Sequence, residues 1–170
     1  MRLFLTVLLI VTTNLIMAQQ STVKGAFLEK WSNSKEYLVE IAQSMPEELY
    51  NYRPTEREMT FKGQLLHVIG NMKWLSTSYF SNEKFERETY DPNLTKQQVL
   101  ELLEATFDEV YQRIESTSES ELSVEVDFFA GKKSKLQILN LLQDHVTHHR
   151  GQLIVYINMK GIKPPRYVGW

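Results

Sequence analysis

Cysteine is absent from the chain. Its absence excludes disulfides, thiolate nucleophiles and cysteine-type zinc sites together, and it removes the usual sequence marker of redox compartment. An excess of charge of either sign is missing as well: 19 Lys and Arg stand against 21 Asp and Glu, a formal net charge of −2. No basic patch is available to follow a phosphate backbone, so nucleic acid is not an expected partner. There is no GxSxG elbow, no phosphate-cradling glycine loop and no carboxylate placed as a general base. Repeats, low-complexity tracts and linkers are lacking too. The remainder is ordinary: 42% hydrophobic and 24% charged residues over 170 positions, enough for one soluble domain with a real core.

Long hydrophobic runs are confined to the amino terminus, MRLFLTVLLIVTTNLIMAQQ. Arg2 precedes an apolar run from Leu3 to Val11, and a weaker stretch ends at Met17 and Ala18. The apolar segment covers about 16 residues, short of the roughly 20 that a spanning helix needs, and Thr12, Thr13 and Asn14 interrupt it. This is the pattern of a secretory signal peptide over residues 1–18, with cleavage near Ala18 and Gln19. The expectation is an exported protein, periplasmic or secreted, with a mature domain over residues 19–170. No stable membrane span would remain after cleavage, and no cysteine follows to carry a lipid anchor.

Four stretches carry helical periodicity. The first runs from about Thr22 to Ser44, with Phe27, Trp31, Leu38 and Ile41 on one stripe, and Met45-Pro46 closes it. The second runs from about Thr60 to Phe80, after a connector in which Pro54 disfavours helix at Arg53. The third starts at Thr95 as N-cap and reaches about Ser118. The fourth runs from about Ser134 to Met159, stopped by Gly161 and Pro164-Pro165. Between the last two, Leu122, Val124 and Val126 alternate with polar residues as in a short extended segment, and Gly131-Lys132-Lys133 turns the chain. The fold class is all-α, a four-helix bundle.

Three of the four histidines fall within DHVTHH on the last helix. On a wheel of about 100° per residue with His145 at zero, Ile138, Leu141, Leu142, Val146, Leu153, Tyr156 and Met159 define the buried face. His149 lies at about 40°, inside that face, whereas Arg150 falls outside and His148 is at its margin. His145 and His149 therefore stand one turn apart on the core side, the spacing that lets two imidazoles meet one ion. Two readings follow from that spacing: a metal-binding pair, or two core histidines with ordinary hydrogen-bond partners. The remaining histidine, His67, sits on the second helix nearly opposite its stripe of Leu65, Val68, Ile69, Met72, Leu75 and Tyr79. Periodicity places it on the surface or against another helix. Gln152 faces the histidine region, Asn71 follows His67 by one turn, Tyr156 reads as a core tyrosine, and Gly151 reads as a close approach of another backbone. The aromatic tail ending at Trp170 is expected to pack on its own subunit.

GQLLHVIGN on the second helix, followed by DHVTHHRGQLIVYINMKGIKPP on the fourth, resembles the DinB-like (YfiT-like) superfamily of four-helix-bundle metalloproteins. Tyr50-Asn51-Tyr52-Arg53-Pro54 is similar to that family's lead-in to the second helix, and the resemblance spans roughly Val23 to Trp170. It implies an up-down-down-up bundle in which His67, His145 and His149 hold one divalent ion while His148 does not. It also implies a homodimer. Three protein ligands leave a position open for chemistry, where a structural zinc site tends to close with four. All-imidazole ligation suits zinc, nickel, copper or iron(II), with zinc the first expectation and nickel the second.

The resemblance further implies either a metal-dependent hydrolase or a transferase acting on low-molecular-weight thiols, with an unknown small-molecule substrate. Export favours a hydrolase or other nucleophile-activating role, since such thiols are mainly cytosolic. Two rival expectations stand beside it. One is a non-catalytic metal-binding or stress protein, and the other is a bundle whose histidines are structural.

Overall fold

The computed structural model describes residues 22–169, so the expected leader and Trp170 lie outside the described residues. Four helices dominate: α1 (Val23–Ser44), α2 (Phe61–Phe80), α3 (Lys96–Ser116) and α4 (Lys135–Met159). Their starts follow the sequence signals. Thr22, Thr60, Thr95 and Ser134 are extended N-caps whose hydroxyls accept from the backbone N–H three residues on. Thr95 with Gln98 and Ser134 with Gln137 complete reciprocal capping boxes. At the end of α4, Gly161 takes a φ of 71°; its N–H donates to the Asn158 carbonyl and that of Ile162 to Ile157. These paired bonds satisfy the orphan carbonyls of the last turn, and the positive φ is why glycine stands there.

The extended segment is shorter than the alternation suggests. Glu119–Ser123 forms a 3-10 turn, and only β1 (Glu125–Val126) pairs, antiparallel, with β2 (Lys133–Ser134). Gly131, at φ 86°, turns the chain between them. A second 3-10 turn, Glu47–Leu49, lies in the connector after α1.

Side-chain ties across the bundle set the helix directions. Lys96 at the start of α3 donates to the Gln43 and Met45 carbonyls at the end of α1, and Lys24 at the start of α1 donates to Glu115 and Thr117 at the end of α3. α1 and α3 are therefore antiparallel. Lys62 of α2 reaches Pro92 and Leu94 just ahead of α3, while Arg113 late in α3 reaches Ser76 late in α2, so these two run parallel. Gln64 meets Tyr156 and His67 meets His145, which makes α2 and α4 antiparallel. The order is up, down, down, up. α1 and α2 each pack on α3 and α4, leaving consecutive helices α1 and α2 on a diagonal.

The core is continuous through the bundle. Trp31 stacks on Phe27 and lies 4.8 Å from Phe107, and its indole N–H donates to the Phe107 carbonyl, so its one polar atom is satisfied while the ring is buried. Burial of a ring the size of Phe107 contributes about 1.5–3 kcal/mol. Among the described residues no helix is long and apolar enough to cross a membrane.

The buried arc of α4 differs from the wheel in one respect. Leu141 and Met159 are 37% and 56% exposed, whereas Arg150 is only 6% exposed. Because α4 packs on α1 as well as α2, its buried arc widens toward α1. The Arg150 guanidinium then lies over the Tyr37 ring, 5.1 Å from its centroid, and reaches Ser34. A flat, weakly hydrated cation on an aromatic face tolerates this burial.

Candidate metal centre

His67 projects from the middle of α2, and His145 and His149 project one turn apart from the facing part of α4. The antiparallel packing of those two helices brings the three rings together. Their centroids are 4.9 Å (His67–His145), 4.7 Å (His67–His149) and 4.5 Å (His145–His149) apart, a nearly equilateral cluster. One ring nitrogen from each lies within 4.8 Å of the others. The cluster grades from core to solvent: His149 is buried, His145 half-buried and His67 exposed. The periodicity of α2 and the resemblance are thereby reconciled. His67 does lie on the solvent side of its helix, and from there it still reaches the two α4 imidazoles.

The hydrogen bonds fix which nitrogen faces inward. The Tyr156 hydroxyl donates to the Met59 carbonyl, so its oxygen accepts from Gln64 Nε2, which also donates to Gln152 Oε1. Gln64 Oε1 is left as an acceptor, and His149 Nδ1–H donates to it. His149 is thus held in the tautomer that presents a bare Nε2 to the cluster. An outer partner of this kind is what orients a metal-ligating histidine. Gln152 in turn donates to His148 Nε2 at 2.8 Å. His148 is engaged with Gln152 through Nε2 and sets its ring edge-on to His149, 4.9 Å between centroids, outside the three-nitrogen group.

His145 and His67 face one another through their Nε2 atoms at 3.0 Å, and His145 Nδ1 is buried without a hydrogen-bond partner. Whichever tautomer His145 adopts, one of its nitrogens stays unsatisfied in the protein alone. A cation between the rings would take both facing lone pairs. Zinc–nitrogen bonds of about 2.0–2.1 Å in a tetrahedral arrangement set ligand nitrogens about 3.3 Å apart, close to the 3.0 Å between the His67 and His145 nitrogens. The protonation states also suit an ion. Burial, with His149, His67 and His148 adding to it, pulls the His145 pKa down to about 3. Burial, with His67 and His148, pulls His149 down to about 4, and burial together with the nearby Arg87 lowers His67. All three rings are neutral at pH 7, as ligation requires. The three-histidine group could therefore hold a divalent ion, and the residues present fit one. Among the described residues no carboxylate joins the group.

Several neighbours fall where periodicity put them, and others do not. Tyr156 is a core tyrosine, 3% exposed, and Gln152 is a bridging amide. Asn71 lines a cavity beside His67, with Oδ1 buried and unpartnered. Gly151 is exposed, and a Cβ built on it meets nothing within 4 Å; no backbone approaches it. Gln64 escaped the sequence reading, although a buried amide one turn before a histidine on an apolar helix was a usable signal. Arg87 escaped it too, because it lies in a loop with no periodicity.

The DinB family model matches residues 17–169. Among curated proteins, the uncharacterized protein YjoA of Bacillus subtilis is 28% identical over 133 residues, covering 72% of this chain and 80% of YjoA. The crystal structure of a DinB-like protein from Bacillus cereus superposes with a TM-score of 0.73 at 21% identity, over 86% of this chain and 98% of that one. That of YjoA gives 0.69 at 18% identity, over 84% and 96%. A conserved protein from Enterococcus faecalis gives 0.62 at 16%, over 81% and 96%. At these identities the superpositions speak for the four-helix fold alone, whereas the family model spans nearly the whole chain. The chain belongs to the DinB family.

Proposed function

We propose that His67, His145 and His149 hold a single divalent ion, zinc first and nickel second, and that the site serves a metal-dependent hydrolase or nucleophile-activating transferase. The observation that carries this reading is the gradient of exposure across a three-ligand cluster. Two imidazoles are anchored in the bundle, the third stands at its surface, and the same His67 lines an open cavity. Three nitrogen ligands with an open side match catalytic sites, whereas a closed set of four matches structural ones.

An ion bound there would supply Lewis acidity, lowering the pKa of a water or thiol at its open position toward neutrality. The chain's own residues do the rest. Gln64 holds His149 in its ligating tautomer, and the bundle keeps water from His149 and from Nδ1 of His145. With no carboxylate in the group, the nucleophile would owe its activation to the ion, and a hydrolytic role agrees with the leader-like residues 1–18.

The test is metal content by elemental mass spectrometry on the mature chain without a histidine tag, beside His67→Ala, His145→Ala, His149→Ala and His148→Ala. One ion per chain is expected in the parent and in His148→Ala, falling below about one tenth in the other three. A parent that stays metal-free after incubation with zinc and with nickel refutes the site. So does a His148→Ala variant that loses the ion as the other three do.

A further inference from the structure

Beside the triad lies a cavity of about 500 Å³ whose occupant the metal reading does not name. Its floor is the solvent side of α2, with His67, Gly70, Asn71 and Trp74, and its far wall is the loop from Ser81 to Thr95, which contributes Phe85, Arg87 and Tyr90. That loop is tied down at several points. Glu83 pairs with Arg113, Glu88 with Lys73 at 2.8 Å, and Lys62 holds the Pro92 and Leu94 carbonyls. The wall is thus preformed, as ligand pockets usually are.

The polar groups of the cavity are unequally matched. Lys73 and Glu88 neutralise one another. Arg87, close enough to His67 to lower its pKa, has no carboxylate partner among the described residues. Asn71 Oδ1 is buried without a partner. The apolar surfaces are flat and braced: Trp74 stacks on Phe128 at 5.9 Å and 19°, and Phe129, 82% exposed, sits 6.2 Å from it at the hairpin tip. A free guanidinium matches a carboxylate in fork geometry, and aromatic walls match a planar body.

We propose that this cavity binds a small organic carboxylate with a flat apolar body, its carboxylate on Arg87 and its ring against Trp74 and Phe85. Because Arg87 stands near His67, the carboxylate end of such a molecule then lies at the His67 edge of the triad, which gives the proposed metal site its substrate class. Only this last consequence rests on the metal reading; binding itself depends on the cavity.

The test is calorimetric titration of 2-naphthoate and of its neutral counterpart 2-naphthamide, into chelator-treated and into zinc-incubated protein. The parent should bind the carboxylate about tenfold more tightly than the amide, about 1.4 kcal/mol, in both preparations. Arg87→Ala should erase that preference, Trp74→Ala should weaken both probes alike, and Lys84→Ala, on the same loop outside the cavity, should keep the parent pattern. Unchanged Tm in each variant certifies folding. Equal affinity for the two probes, a preference that survives Arg87→Ala, or no naphthoate binding up to its solubility overturns the inference. Naphthoate binding that needs zinc and ignores Arg87 overturns it while supporting the metal site. A preference that depends on Arg87 in protein unable to hold zinc or nickel upholds it while the metal reading fails.

Discussion

Gln64 is the residue whose replacement tests the chemistry of the centre most sharply. It touches no ion, yet it supplies the acceptor for His149 Nδ1–H and ties that acceptor through Gln152 and Tyr156. Gln64→Leu keeps the volume of a side chain that is 1% exposed and removes the acceptor. His149 then either buries an unsatisfied N–H, at about 1–3 kcal/mol, or moves the proton to Nε2 and loses its inward lone pair. Binding an ion must reverse that choice. Affinity for zinc should therefore fall by about 10–100-fold, the range for lost outer partners of ligating histidines. Gln64→Glu separates this effect from packing, since it keeps an acceptor for Nδ1 while losing the donor to Gln152 and Tyr156. It should hold affinity within about threefold of the parent. The assay is competition for zinc against a chelating dye, with Tm measured on the metal-free proteins. A Gln64→Leu protein that folds and binds zinc within threefold of the parent would refute the tautomer argument, as would Gln64→Glu failing as badly as Gln64→Leu.

Two further outcomes are expected. The metal-free protein should lose stability in mild acid. Folded His145 and His149 titrate at about 3 and about 4, against about 6.5 in the unfolded chain, so the unfolded state takes up protons first. Their contribution is complete above pH 6.5 and is lost as pH falls toward 4 and then 3. With His145 half-buried, the loss by pH 5 is about 1–3 kcal/mol, or roughly 3–10 °C in Tm between pH 7.5 and pH 5. A His145→Leu, His149→Leu double variant should flatten that dependence, and an undiminished slope would contradict the assignment. Separately, Gly151→Ala should raise stability by about 0.5–1 kcal/mol in denaturant unfolding, because the position is helical, exposed and open. Destabilisation there would mean that a neighbour approaches Gly151 after all.

The helices were legible in the chain because their causes are local. A hydroxyl at Thr22, Thr60, Thr95 or Ser134 finds the N–H three residues on without help from the rest of the protein, and Gly161 ends α4 through its own backbone. The His145 and His149 pair was legible for the same reason, since a one-turn spacing is a property of a single helix. Other features depend on what lies across an interface. Arg150 reads as a surface cation until α1 presents Tyr37 to it, and Gly151 reads as a packing glycine until its surroundings prove empty. His67 reads as solvent-facing, correctly, and periodicity holds no trace of the α4 imidazoles it meets. Gln64 acquires its role only from His149, and Arg87 acquires its own only from a tethered loop folded over α2. Local hydrogen bonds and apolar periodicity are written residue by residue. The convergence of side chains from separate helices is decided by the antiparallel register of α2 against α4, a long-range packing choice that no window of sequence contains.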